Sequence, residues 1–175
     1  MDLLQKNHFE LLELPTQFEV DSNLLDQHYR QLQNEVHPDR FVTAPANERM
    51  HSMQVATQAN EAYQTLKNTT ARARYLLQLQ GVETLEESNT AMPADFLMLQ
   101  MEWRETIEDA ISNKDVDALD RLLTEIKQNA KQLAIQLKQY FDEKAYALAS
   151  EIVRKLSFID KISIDIHRAI ETLEN

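Results

Sequence analysis

His37, Pro38 and Asp39 follow one another in this 175-residue chain, a titratable ring and a carboxylate held on either side of a proline. The proline ring fixes its own φ, so the imidazole and the carboxylate keep a set relation to each other. A carboxylate presented that way suits charge-assisted bonds to an arginine of another molecule. A bland alternative is a helix stop with a solvated aspartate. A metal-dependent enzyme built on His28, His37, Asp39 and His51 is disfavoured, because no HExxH-type spacing or paired-carboxylate motif supplies the ligand geometry.

A second group of residues draws attention by pattern. Turning about 100° per residue from Phe96, the side chains Phe96, Leu99, Trp103, Ile107 and Ala110 share one side of a helix, which should be core. Met101, Glu105, Met98, Asp109 and Glu102 then fall between about 140° and 240°, with Leu97 near 100°. Apolar groups among carboxylates on a solvent face can be incidental, since single exposed apolar side chains are common. Gathered together and bearing methionine, they suit docking of an apolar and basic partner.

The elements that must position these residues are helices. The chain has 1 glycine and 4 prolines, and alanine, leucine, glutamate, glutamine and lysine prevail, which favours an all-α fold. A short helix is expected from His8 to Leu14, ended by Pro15, and a second from Asp21 or Ser22, with Leu25, Tyr29, Leu32 and Val36 as its core face. It must stop before Pro38, because the residue preceding a proline is pushed out of the α region. Residues 38–45 read as a loop. A third helix after Pro45 carries Met53, Ala56, Ala59, Tyr63 and Leu66 on one side, and a fourth segment, Arg72 to Leu79, ends at Gly81. Polar residues 80–92, with Glu83, Glu86, Glu87, Ser88, Asn89 and Thr90, form the expected joint between an amino-terminal domain, 1–79, and a carboxy-terminal one, 93–175. The latter shows three helical patterns, Pro93 to Ser112, Asp115 to Tyr140 and Asp142 to Leu173, with turns at Asn113-Lys114 and Phe141-Asp142: an antiparallel three-helix bundle.

Composition excludes several functions. A formal net charge of -11 argues against nucleic-acid binding, which needs clustered cations. Residues 1–78 carry -3 of it and the remainder -8, so an electrostatic partner of the second unit should be basic. With 0 cysteines the chain offers no disulfide and no thiolate to zinc or an iron–sulfur cluster. No run approaches the roughly 18 apolar residues of a membrane span, and Met1-Asp2-Leu3-Leu4 opens no signal peptide, so a soluble, cytoplasmic protein without a cofactor is expected.

Tyr29-Arg30-Gln31-Leu32, then His37-Pro38-Asp39-Arg40, then Asn60-Glu61-Ala62-Tyr63-Gln64-Thr65-Leu66 resemble the J-domain, the module that activates DnaK-type chaperones. The resemblance implies a docking role with no catalysis, in which His37, Pro38, Asp39, Tyr29, Arg30 and Arg40 meet the chaperone's ATPase. Loss of His37 or Asp39 is expected to abolish activation and to spare folding. This chain departs from the pattern in placing Asp26, Gln31 and Glu35 on a helix that is usually basic, and Thr69 where a proline usually opens the fourth segment. Phe96-Leu97-Met98, Glu102-Trp103-Arg104-Glu105 and Val153-Arg154-Lys155-Leu156-Ser157-Phe158-Ile159-Asp160-Lys161 are similar to the HscB family of J-proteins, dedicated to iron–sulfur cluster biogenesis. That likeness implies two partners, an IscU-type cluster scaffold and an HscA-like DnaK-type chaperone. It implies a scaffold-binding set of Leu97, Met98, Met101, Glu102, Glu105, Asp109 and Phe158, with Met101 in place of a more usual leucine and Asp109 in place of a glutamate. Phe158 lies about 100° from a Leu148, Ile152, Ile159, Ile166 stripe, at the edge of the core. A chain without cysteine would act on a scaffold that holds the cluster. The lack of an amino-terminal cysteine motif and targeting segment points to the bacterial, cytoplasmic form. A J-protein serving another client is the competing possibility.

Overall fold

The computed structural model describes residues 1–84 and 92–175, and these divide into two units, Met1–Gln80 and Gly81–Asn175. Of the expected joint, Glu86, Glu87, Ser88, Asn89 and Thr90 lie outside the described residues. All regular structure among the described residues is helical.

The first unit opens with a 3-10 turn, Leu3–Gln5, and the one-turn helix α1, His8–Leu11. Asn7 caps α1 with its side chain while Glu10 reaches back to the Asn7 amide, a reciprocal capping box. The helix ends three residues earlier than Leu14 because Glu13 turns left-handed (φ 54°) and Leu14 N–H bonds Phe9 C=O at 2.9 Å, closing the end before Pro15 is reached. Helix α2, Ser22–Glu35, begins on the side chain of Asp21 and ends at Val36, as the following proline requires. Helix α3 runs Ala46–Lys67 and α4 runs Thr69–Leu79. Three cross-links fix the pairing of α2 with α3: Asp26 to Tyr63, Tyr29 to Asn60 and Gln33 to Ala56, so residue numbers rise on one helix as they fall on the other. The pair is an antiparallel hairpin.

Two further readings of this unit need correction. The buried face of α3 is Ser52, Val55, Ala59, Ala62 and Leu66, whereas Met53 is exposed. Helix α3 is packed by α1, α2 and α4 together, so its core face follows those three neighbours and leaves the Met53 edge to solvent. Helix α4 starts at Thr69 instead of Arg72, because Asn68 caps it through Ala71 N–H at 2.9 Å; the cap performs the job of a starting proline. Arg72 then reaches inward. It donates to Phe18 C=O and Leu66 C=O, both at 2.7 Å, and lies over the Phe18 ring.

The second unit is an antiparallel three-helix bundle of α5, Ala94–Ser112, α6, Val116–Asp142, and α7, Tyr146–Glu174, each packed on the other two. Its core holds Phe96, Trp103, Leu119, Ile126, Leu137, Val153, Ile159 and Ile166. The two connections have one geometry. Lys114 (φ 53°) and Lys144 (φ 56°) adopt the left-handed conformation, and the next residue, Asp115 or Ala145, donates back to Ala110 or Tyr140 at 2.8 Å. The second turn therefore lies at Glu143–Ala145 rather than at Phe141-Asp142, since α6 continues to Asp142. On α7 the stripe is Ala149, Ile152, Leu156, Ile159 and Ile166; Leu148, one residue off that line, is exposed.

Candidate functional site

In the first unit the chemistry centres on the turn Pro38–Phe41, a 3-10 helix that Pro38 opens. His37 caps it: Nδ1 accepts the Asp39 N–H at 3.2 Å, so that in the neutral ring Nε2 carries the proton. The Asp39 carboxylate is 88% exposed, with Oδ2 3.6 Å from the same Nδ1. A side chain tied to the loop thus holds a carboxylate that is free of the fold. Arg30 on α2 and Arg40 in the turn line one shallow polar hollow together with Asp26, Gln31, Asn34 and Glu35. One guanidinium-bearing residue comes from the helix before the loop and the other from the loop itself.

Tyr29 behaves differently from a free contact residue. Its ring stacks on Tyr63 at 4.2 Å, and its hydroxyl donates to Asn60 and receives Gln33 Nε2, both at 3.2 Å. Tyr63 donates to Asp26 at 2.7 Å, and that bond to a carboxylate raises the Tyr63 phenol above its ordinary value of 10.0. Asp26, which by sequence only dilutes the positive charge of α2, is therefore a strut between the helices. No spacing rule reveals a partner 37 residues away.

The histidines of the metal-enzyme reading go separate ways. His28 Nδ1 meets Leu12 C=O at 2.7 Å and His51 Nε2 meets Asp2 at 2.9 Å, while His37 serves its own turn. Among the described residues no three His, Cys, Asp or Glu side chains converge as metal ligands would.

On the second unit, Phe96, Trp103 and Ala110 of α5 are buried, and Trp103 Nε1 donates to Glu125 at 3.3 Å. The outer face carries Leu97, Met98 and Met101, exposed to 44%, 63% and 70%. Glu102, Glu105 and Asp109 are exposed beside them. Phe158 is half-buried on α7 and meets Phe96 edge-on, with centroids 6.1 Å apart at 84°. It therefore packs at the α5–α7 seam and keeps part of its ring exposed. Two cations that spacing alone does not single out sit on these rings: Arg104 lies 5.4 Å from the Phe158 centroid and Lys155 5.5 Å from that of Phe96. No helix among the described residues is long and apolar enough to cross a membrane.

Known proteins are similar to this chain in sequence and architecture. Residues 92–167 match the family model described as the HscB C-terminal oligomerisation domain. The co-chaperone protein HscB homologue of Paraburkholderia xenovorans is 48% identical over 175 residues, covering all of both chains. Among solved structures, the chaperone HscB from Vibrio cholerae is 38% identical, with a TM-score of 0.85 over 96% of this chain and 99% of that one. Human co-chaperone protein HscB is 29% identical, with a TM-score of 0.87 over 93% of this chain and 81% of that one. Identity over the full length, together with the hairpin and bundle just described, leads to one conclusion: the chain belongs to the HscB family of co-chaperones, a J-domain followed by a carboxy-terminal helical bundle.

Proposed function

We propose that this protein binds an IscU-type iron–sulfur scaffold through its bundle, delivers it to an HscA-like DnaK-type chaperone and stimulates that chaperone's ATPase through the His37-Pro38-Asp39 loop. The parts divide as residues 1–79 for the chaperone, 80–92 as the joint and 93–175 for the scaffold. The setting is a bacterial cytoplasm. The observation that carries the reading is the outward display of Leu97, Met98 and Met101 on a helix whose other side already fills the core. Three adjacent apolar side chains in water gain most by covering with a partner, and thioether side chains adapt to its contours.

The geometry supports a role for each residue in this reading. Asp39 projects from a capped turn and offers a charge-assisted acceptor, with Arg30 and Arg40 beside it as donors. Tyr29 sets the α2 face by its stack on Tyr63 and is a positioning residue more than a contact. Glu102, Glu105 and Asp109 draw basic groups of the scaffold toward the apolar stripe, and Phe158 extends that stripe onto α7. Binding the client on the same chain that touches the ATPase raises the client's effective concentration at the chaperone.

The test is a steady-state ATPase assay with an HscA-type chaperone, with and without an IscU-type scaffold. Asp39→Ala is expected to lose the stimulation while keeping the parent's circular dichroism melt. Equal stimulation by parent and variant refutes the loop assignment. Calorimetry with the scaffold tests the other half: no heat of binding refutes it and leaves a J-protein with a different client.

A further inference from the structure

The outer surface of the bundle holds more than an apolar stripe and an acidic row. Around α5, measured from Phe96 at about 100° per residue, Arg104 stands near 80° and Leu97 near 100°. Met101, Glu105, Met98, Asp109 and Glu102 follow from about 140° to about 240°. Arg104 is thus on the margin toward α7, where Phe158 and Lys155 lie, and Glu105, Asp109 and Glu102 stand toward the other margin, while Glu108, near 120°, stays on the Arg104 side.

Both cations are held in place. The Arg104 guanidinium rests over the Phe158 ring, Lys155 Nζ over the Phe96 ring, and the two rings touch each other edge to face. Ring faces attract cations without neutralising them, so each keeps its hydrogen-bond donors for another molecule. Neither makes a salt bridge among the described residues, although the chain carries 29 acidic against 18 basic side chains. Glu108, four residues beyond Arg104 and near 120°, is the closest candidate along the helix, and the two are not paired.

We propose that Arg104 and Lys155 form a cationic margin of the docking surface and recognise a carboxylate of the scaffold, next to the apolar group that enters the Leu97–Met101–Phe158 stripe. The proposal rests on the reading of this face as the scaffold site and adds an orientation to it. A segment with a basic group on one side and an acidic group on the other fits one way round, and the reversed pose sets like charges together. Phe158 has two functions, as apolar contact and as platform for Arg104.

The experiment is calorimetric titration of the full chain with purified IscU-type scaffold at low and moderate salt, for the parent, Arg104→Gln, Arg104→Lys, Lys155→Gln and Met98→Ala. Arg104→Gln is expected to bind about tenfold more weakly at low salt, with a shallower salt dependence, and Lys155→Gln more weakly by a smaller factor. Arg104→Lys should recover most of the loss, which simple disruption of packing would not allow. Far-UV melts should coincide, because Arg104 is exposed. If both glutamine variants bind as the parent does, or more tightly, while Met98→Ala is weakened, the cationic margin is wrong and the docking face stands. If the parent does not bind the scaffold at all, both fall.

Discussion

His37 spends one ring nitrogen on its own loop, accepting the amide of the aspartate two residues on. Substituting His37→Ala removes that acceptor, a capping loss of about 1 kcal/mol confined to a surface turn. Chaperone stimulation in the ATPase assay is expected to fall at least as steeply as the direction of Asp39 is lost, with the thermal melt barely moved. A second histidine gives a pH signature. His8 stacks on Tyr75 at 4.3 Å, and burial there lowers its pKa from the ordinary 6.5. The unfolded chain therefore binds a proton on His8 more readily than the folded one, so the contribution of this site is full above pH 6.5 and declines as pH falls through and below it. Urea midpoints measured from pH 7.5 downward should fall less steeply for His8→Phe than for the parent. The loop histidine was legible from its neighbours Pro38 and Asp39, but the stack of His8 on a ring 67 residues away was not.

Helices announce themselves by periodicity and by caps, and neither end is uniformly legible: α2, α4 and α5 stop where the sequence places them, whereas α4 and α7 start at Thr69 and Tyr146 and not at Arg72 and Asp142. Asp21 and Asp115 accept the first amides of α2 and α6, and such side chains at those places are readable in advance. The left-handed residues Glu13 and Lys144 close α1 and α6 just beyond Leu11 and Asp142, and neither glutamate nor lysine signals that conformation. That is why spacing alone places the last turn two residues too early and the end of the first helix three residues too late. The outer face of α5 was readable because its apolar residues break the 3.6-residue stripe, whereas the Asp26–Tyr63–Tyr29 strut depends on which helix faces which. At this scale the decisive substitution is Arg72→Met. Arg72 satisfies Phe18 C=O and Leu66 C=O at once, and burial already pushes its pKa below the ordinary guanidinium value. Losing two bonds from a charged donor should destabilise the protein by about 3 kcal/mol, read as a lower urea midpoint with an unchanged slope. Lys114→Gly tests the turn geometry from the opposite direction: relief of the left-handed strain is expected to raise the midpoint, by up to about 1 kcal/mol less whatever the lost lysine contributed at the helix end.

For the molecule as a whole, charge decides how partners arrive. A net charge of -11, more of it in the second unit, produces a field that reaches about one Debye length, roughly 8 Å at physiological salt. Stopped-flow association with an IscU-type scaffold should slow as salt rises while dissociation changes less; a flat association rate would leave the apolar contacts alone responsible. One further consequence lies in the placing of Trp103. It is the single indole in the sequence, sealed inside the bundle to 2% exposure, with its nitrogen tethered to Glu125. Its emission is a private lamp for that half of the protein: quencher access and wavelength report the three-helix bundle, and the unit that carries the His37-Pro38-Asp39 loop has no indole of its own. Watching the lamp during a titration with each partner tells, without any label, which half has been touched.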